Sequence, residues 1–553
     1  MKIRNLLITL FLVVAFMGTM FAQSADTVYV PANNSDGTPY INSLVDKIVA
    51  DTSSTGEQLH KVYKLERGNF YILEKAVSLR NPVEIVADPP VANDQEKTPP
   101  KILSNINADG GTSTGSLIIT WADITIKNIW LAGGDLGGQA HGWGDRAALL
   151  VQDSLVTVHL DGVWCDYNSW SALGTSQPHT KWFINNFHAR NEQNEGDQWT
   201  TFLFYFAGTG TVVDTFVATN SSYFQSNGPF FMWNGVVKYL KVDHCTFVNT
   251  YKHPFHQTQW LSAEITNNIF YNSGGLSMTA KENESQDPHG LPFGLVDVDT
   301  LFPNSTDTIK AGPYNIPENQ RSIVVKNNLW YYSQEIRDYW AAHDTVIAQP
   351  FMNARTTAMF ENNATWPGLV AEGNVNQDPQ FNDFPRITEA NAKFAQACTD
   401  IRAGSTHGWD WDGDQLSDPT FYRLVIQYPT TENFRSYSGV LGTDGKPVGD
   451  QSYNPVTAVE REKELPLAYN LQQNYPNPFN PTTTIEFAVP EAGRFALKIY
   501  NVLGQEVATL LNSELFAGNH KVTFDASKLA SGLYFYKLSG NNISLTKKMM
   551  LLK

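Results

Sequence analysis

The chain has 553 residues, 17% of them charged and 12% aromatic, with a net charge of −16 and a pI near 5.2. That balance excludes nucleic acid, which needs a basic footprint, and leaves polyanionic glycans only to a bound metal ion or a local basic patch. The length exceeds one ordinary globular core, whereas a solenoid can grow without limit in one direction.

The chain opens on Met1-Lys2-Ile3-Arg4, an apolar run from Leu6 to Met17 and a small residue at Ala22. This is a basic region, an apolar region and a cleavage site, so residues 1–22 are read as a secretory signal peptide. The run is too short to span a membrane, and no other segment approaches about 18 apolar residues, so no transmembrane segment is expected. Three cysteines, Cys165, Cys245 and Cys398, cannot build a disulfide framework and are read as small buried hydrophobes.

From Thr27 to Arg80 the reading is an N-terminal cap, with short β segments at Val62–Leu65 and Phe70–Leu73. Coils then run from about Val83 to Phe381. Trp130, Trp164, Phe187, Phe224, Phe247, Phe270 and Trp330 are separated by 34, 23, 37, 23, 23 and 60 residues. Two residues before them stand Asn128, Gly162, Asn185, Ser222, Cys245, Asn268 and Asn328. A period of this length marks a solenoid. The segments Ile124–Ile126, Val156–Leu160 and Ser322–Val325 are alternating or β-branched, which makes its units strands. The expected fold is all-β: a right-handed parallel β-helix with one aromatic stack and an asparagine ladder.

The longer gaps add residues after the ladder strand, at Gly133–Arg146, Ala189–Trp199 and Gly274–Arg321. Insertions at one place in successive repeats map to one face, often the binding face. Two of them flank coils ending in Asn227-Gly228-Pro229-Phe230 and in the dense Lys252-His253-Pro254-Phe255-His256 cluster. A cleft is therefore expected there. Lys252, His253 and His256 are its candidate catalytic residues. Trp199, Trp233, Asn227 and Lys281 are its candidate substrate contacts, and Glu192, Glu195 and His289 stand on the walls. Proton abstraction beside a carboxylate needs a base with a tuned pKa and a cation for the developing enolate. Glu192, Glu195 or Asp197 offers oxygen ligands to a Ca²⁺ ion.

The segment from Ile387 to Asp450 is read as an irregular C-terminal cap. Within it, Asp410, Asp412, Asp414 and Asp418 mimic the opening of a calcium loop, but Gln415 replaces its glycine and Phe421 its final glutamate. A solvated acidic turn and a Ca²⁺ site both remain open. A polar linker covers 451–466, so the passenger is placed at 26–450 and a separate domain at 467–553. That domain opens on Tyr475-Pro-Asn-Pro-Phe-Asn-Pro481, which excludes helix and central strand, and continues in short alternating strands of a small Ig-like β-sandwich.

These last residues resemble the type A sorting domain of the bacterial type IX secretion system. The resemblance rests on the YPNPFNP opening, YNVLGQEV at 500–507, SGLYFYKL at 531–538 and the basic-apolar terminus Lys547–Lys553. It implies handling by the secretion translocon and its sorting peptidase, with secretion or display at the outer surface of a Gram-negative bacterium. The passenger resembles the pectate-lyase-like superfamily of β-helices, and Val242-Asp-His-Cys-Thr-Phe247 is similar to that family's aspartate-histidine strand. The arginine-proline-arginine motif of pectate lyases is absent from the following coils. The expected function is polysaccharide recognition, with a polysaccharide lyase or hydrolase and a structural or adhesive module as alternatives.

Overall fold

The computed structural model describes residues 26–89, 99–105, 115–132, 147–166, 171–192, 202–207, 211–226, 228–233, 236–256, 260–282, 291–299, 318–343, 346–404, 433–453, 469–489, 493–502, 504–515, 518–540 and 543–552. The chain divides into two compact units, Met1–Asn454 and Pro455–Lys553.

The first unit is a right-handed parallel β-helix, the hand that parallel crossovers take. Among the described residues sheet I has eleven strands, from Thr27–Tyr29 to Leu369–Glu372; sheet II has ten, from Phe70–Leu73 to Val375–Asn376; sheet III has seven, from Val77–Leu79 to Phe255–His256. The coils visit the sheets in the order I, II, III, the last three with strands in sheets I and II only, and equivalent strands pair in parallel.

The tight turn between sheets I and II sets the register. Asn128, Gly162, Asn186, Asn220, His244, Asn267, Asn327 and Gly373 occupy it with φ between 48° and 66°. Asparagine and glycine tolerate this left-handed backbone better than other residues. At Gly162 an added Cβ would lie 2.5 Å from the Asn128 carboxamide oxygen of the preceding coil, so the rung spacing also demands glycine. Counting from this residue, the first and third side chains enter the core and the second and fourth leave it.

This frame corrects the expected single stack. The third, inward row is Leu131, Cys165, Ala189, Tyr223, Phe247, Phe270 and Trp330. Of the seven aromatics, only the last three belong to it. Tyr223 stacks on Phe247 at 4.8 Å and Phe247 on Phe270 at 5.0 Å. Phe187 is two positions early, on the inward first row, Phe224 is one late, and Trp130 and Trp164 lie on the outward second row. The asparagine ladder is likewise Asn268, Asn328 and Asn374. Each carboxamide oxygen takes the backbone N–H of the preceding rung, and each Nδ2 donates to a core-facing carbonyl. Asn128 belongs to the left-handed row and Asn185 to the end of a sheet I strand.

Two expected caps are also corrected. Val62–Lys64, Phe70–Leu73 and Val77–Leu79 already form a complete coil, and helix α1 (Ser43–Ala50) covers its open end with Leu44 and Ile48 buried. The C-terminal cap contains helices α2 (Gln334–Ala342), α3 (Ala354–Glu361) and α4 (Ile387–Arg402), the last inside a segment expected to be irregular. α4 buries Ala390, Asn391, Phe394, Ala397 and Cys398, a helical spacing. Residues 433–453 form a strap running back over the coils. It bonds successively to Pro379, Asn327, Asn267, Thr246 and Ser222. The strap seals an apolar patch on the outer face of sheet II that includes Phe224, Val248, Ile269 and Leu329.

The second unit packs a three-stranded antiparallel sheet (Asn470–Leu471, Thr482–Val489, Gly518–Asp525) with a four-stranded one (Glu506–Leu515, Gly493–Tyr500, Gly532–Gly540, Ile543–Leu551). Inward alternation places Ile485, Phe487, Leu497, Ile499, Tyr536, Leu538, Met549 and Leu551 in its separate core. The proline-rich opening is sewn to the last strand: Asn477 Oδ1 accepts the Met550 N–H, and Phe479 pairs with Met550 and Leu552.

Candidate functional site

A recess opens beside the turn that follows the sheet II strand Thr246–Val248. It comprises about 450 Å³ of space continuous with solvent and is lined by Tyr251, Lys252, His253, Leu276, Ser277, Met278, Glu282, Pro292, Phe293, Gln349 and Arg402. Its far wall comes from the long insertion after Phe270, in which Met278–Thr279 pairs antiparallel with Val346–Ile347.

Two of the expected catalytic residues meet here. His253 lies flat against Phe293, with ring centroids 4.4 Å apart and planes 15° from parallel. Lys252 follows in the same lining, and its carbonyl takes the Thr250 hydroxyl at 2.9 Å. Both are buried, at 7% and 3% exposure, because the insertion folds over them.

Glu282 and Arg402 were not singled out together from sequence, since 120 residues separate them. Arg402, at the end of α4, donates Nη1 to both Glu282 oxygens at 3.0 and 3.2 Å and Nη2 to the carbonyls of Leu276 and Ser277. Its Nε donates to the Tyr339 hydroxyl. With its fork so occupied, Arg402 acts as a clamp that fixes the wall. Burial pushes the Glu282 carboxyl up, but the Thr279 N–H and the Arg402 guanidinium outweigh it and hold it below its ordinary value. Gln349 completes the lining. Its buried Nε2 has no hydrogen-bond partner among the described residues, and its carboxamide fills the space a Cβ on Gly274 would take.

The other expected contacts are dispersed. Lys281 is exposed on the helical turn beside Glu282. Trp233 and His256 lie on sheet III, where Trp233 pairs with Ala207 and His256 with Phe231. Glu192 pairs in register with Ser226. Trp199, Asn227, Glu195, Asp197 and His289 lie outside the described residues, as do Asp410, Asp412, Asp414 and Asp418 and the signal segment. Among the described residues no group of three or more His, Cys, Asp or Glu side chains could hold a metal ion.

A second concentration of charge carries no motif in the sequence. It lies on the outward face of sheet II, where Lys101 Nζ stands 3.6 Å over the Trp130 ring. Two rungs on, Arg190 pairs with Asp166 at 2.8 Å, both buried. Burial drives the Lys101 amine down to about 7. On the same strand as Arg190, His188 stacks on Trp164 at 4.4 Å and bonds the Ser222 hydroxyl at 2.7 Å. Asp450 of the strap approaches the same imidazole at 3.6 Å. Burial pushes His188 down to about 3 and Asp450 up to about 7. This group ties the strap to the coils.

Comparison with family models matches residues 473–552 to the secretion system C-terminal sorting domain. The second unit is a sorting domain. Its match spans the proline-rich opening through the last strand, the segments that close the sandwich on itself. A type IX sorting tail marks the protein for the type IX secretion machinery and makes it a secreted or cell-surface protein. Comparison with curated proteins finds no match for the chain. Among the described residues no helix is long and apolar enough to cross a membrane.

Proposed function

We propose that the sorting domain delivers a polysaccharide-recognising β-helix of the pectate-lyase-like kind to the outer surface of a Gram-negative bacterium, and that the recess over Lys252 and His253 receives the glycan. One observation carries this reading: aromatic and ionisable side chains converge in a single concavity built by a chain insertion. The other outward faces offer less. On sheet I Lys127 is paired with Glu84, Lys238 with Asp214, Lys241 with Asp243 and Lys326 with Glu372. On sheet II the strap covers the apolar rows. Affinity electrophoresis of the purified chain through gels containing plant and algal polysaccharides tests the reading. Retardation by at least one polysaccharide, lost in Lys252→Ala and His253→Ala, is expected. Passage unretarded through the whole panel contradicts it.

The shared recess of Lys252 and His253 favours a second reading, a polysaccharide lyase. In it His253 removes the proton beside a uronate carboxylate and Lys252 steadies the developing charge. Ultraviolet absorbance of unsaturated products decides between the two. A lyase loses on the order of 10²–10⁴ in rate when its base is removed; a binding module yields no product at all.

A further inference from the structure

We infer that the outward face of the sorting domain's last two strands, Gly532–Gly540 and Ile543–Leu551, is the surface by which a component of the type IX secretion machinery holds the chain. The inference is independent of the polysaccharide reading. In an antiparallel sandwich, strands alternate between apolar side chains in the core and polar ones in water. These two strands break that rule. Tyr534, Tyr536, Met549 and Leu551 fill the core. Leu533, Phe535 and Met550 alternate with them on the outward face, followed by Leu552, and none of the four belongs to that core. Met550 is 37% exposed and Leu552 52%. The outward residues meet across the pairing, Leu533 opposite Met550 and Phe535 opposite Lys548.

The cations on the same face give the partner's chemistry. Lys537 and Lys548 stand beside the apolar row, and neither forms an ion pair among the described residues. From Leu467 to Lys553 eight Lys and Arg stand against five Asp and Glu, whereas the whole chain has 39 against 55. Such a face fits a groove that is apolar at its centre and acidic at its rim. A second copy offering the same face would set its lysines against these, so charge opposes self-association. The border of the face is fixed before binding. Gln473 donates to the Lys548 carbonyl, Asn477 accepts the Met550 N–H, and the buried Asn474 donates to the Pro476 carbonyl. Between these anchors Tyr475 is 82% exposed, an aromatic contact offered at little ordering cost.

The test follows the full chain in cells that export it. A photoreactive phenylalanine analogue at position 535 should crosslink to a subunit of the type IX machinery, identified by mass in the purified adduct. The same analogue at the exposed Thr523, on the other sheet, should not. Met550→Thr and Lys548→Glu should each slow export about tenfold, the loss of one central interface contact, while Lys548→Arg exports like the parent. Hydrogen–deuterium exchange of Ile485–Phe487 and Tyr536–Leu538 at the parent's protection shows that these variants keep the domain's core. Export of Met550→Thr and Lys548→Glu at the parent rate, or no adduct from position 535, overturns the inference. An adduct only with a second copy, or only with lipid, overturns the choice of partner. None of these results bears on the glycan recess.

Discussion

Removing one rung of the asparagine ladder should cost more than its single side chain implies. Asn328 is fully buried. Its Oδ1 accepts the Asn268 N–H at 3.0 Å and the Asn268 Nδ2 at 2.9 Å, and its Nδ2 donates to the Ile265 carbonyl at 2.8 Å. Asn328→Ala leaves the Asn268 N–H buried without its partner, while Asn268 Nδ2 keeps the Val242 carbonyl and Ile265 stays paired within sheet I. One orphaned buried donor costs about 1–3 kcal/mol. At about 1 °C per kcal/mol for a unit of this length, the melting midpoint should fall on the order of 1–3 °C. All 14 tryptophans precede residue 467, so tryptophan fluorescence reports the β-helix without the sorting domain. Asn185→Ala is the control. It removes a partly exposed side chain bonded to Asp161 at a strand end and should cost under about 1 kcal/mol. A ladder variant that melts with the parent, or a control that costs as much, refutes the reasoning.

Phe247, fully buried between Tyr223 and Phe270, should lose about 3–5 kcal/mol on Phe247→Ala, read from the same melts. The strap should weaken as pH rises from about 4 to about 7, because the buried Asp450 carboxyl, pushed up to about 7, holds a proton that the unfolded chain has released. Asp450→Asn should flatten that slope in melts across pH and stabilise the chain at pH 8; an unchanged slope rules the carboxyl out. Deleting Leu467–Lys553 should leave a cooperatively melting β-helix, since the two cores share no residue, that fails to reach the medium or the cell surface. A truncated protein found outside the cell places the export signal elsewhere.

The class of fold was legible because β-branched segments recur with a solenoid period, and the sorting domain because its motif is dense. The register was not. The repeat is anchored by the left-handed residue of the sheet I to sheet II turn, which requires Asn, Gly or, at His244, a tolerated exception. The aromatics drift by up to three positions around it, since both inward and outward rows accept large rings where the strap or a neighbouring coil covers them. Adjacent pairs such as Asn267-Asn268 and Asn327-Asn328 carried the true frame: one residue turns the chain and the next builds the ladder.

The candidate site was half legible. Lys252 and His253 stood out by local density and do line one recess, but what completes it comes from far along the chain. Glu282, Gln349 and Arg402 arrive through an insertion, a loop and a helix whose joint placement no local pattern encodes. The charged group of Lys101, Asp166 and Arg190 was invisible for the same reason, because strand pairing across coils creates it.

Hydrogen–deuterium exchange of the full chain, with and without the polysaccharide that retains it most strongly, tests the central claim most directly. The account predicts new protection in Tyr251–His253, Leu276–Glu282 and Pro292–Phe293, which together form the recess. Protection confined to the outward face of sheet I or to the strap, with these segments unchanged, would contradict it.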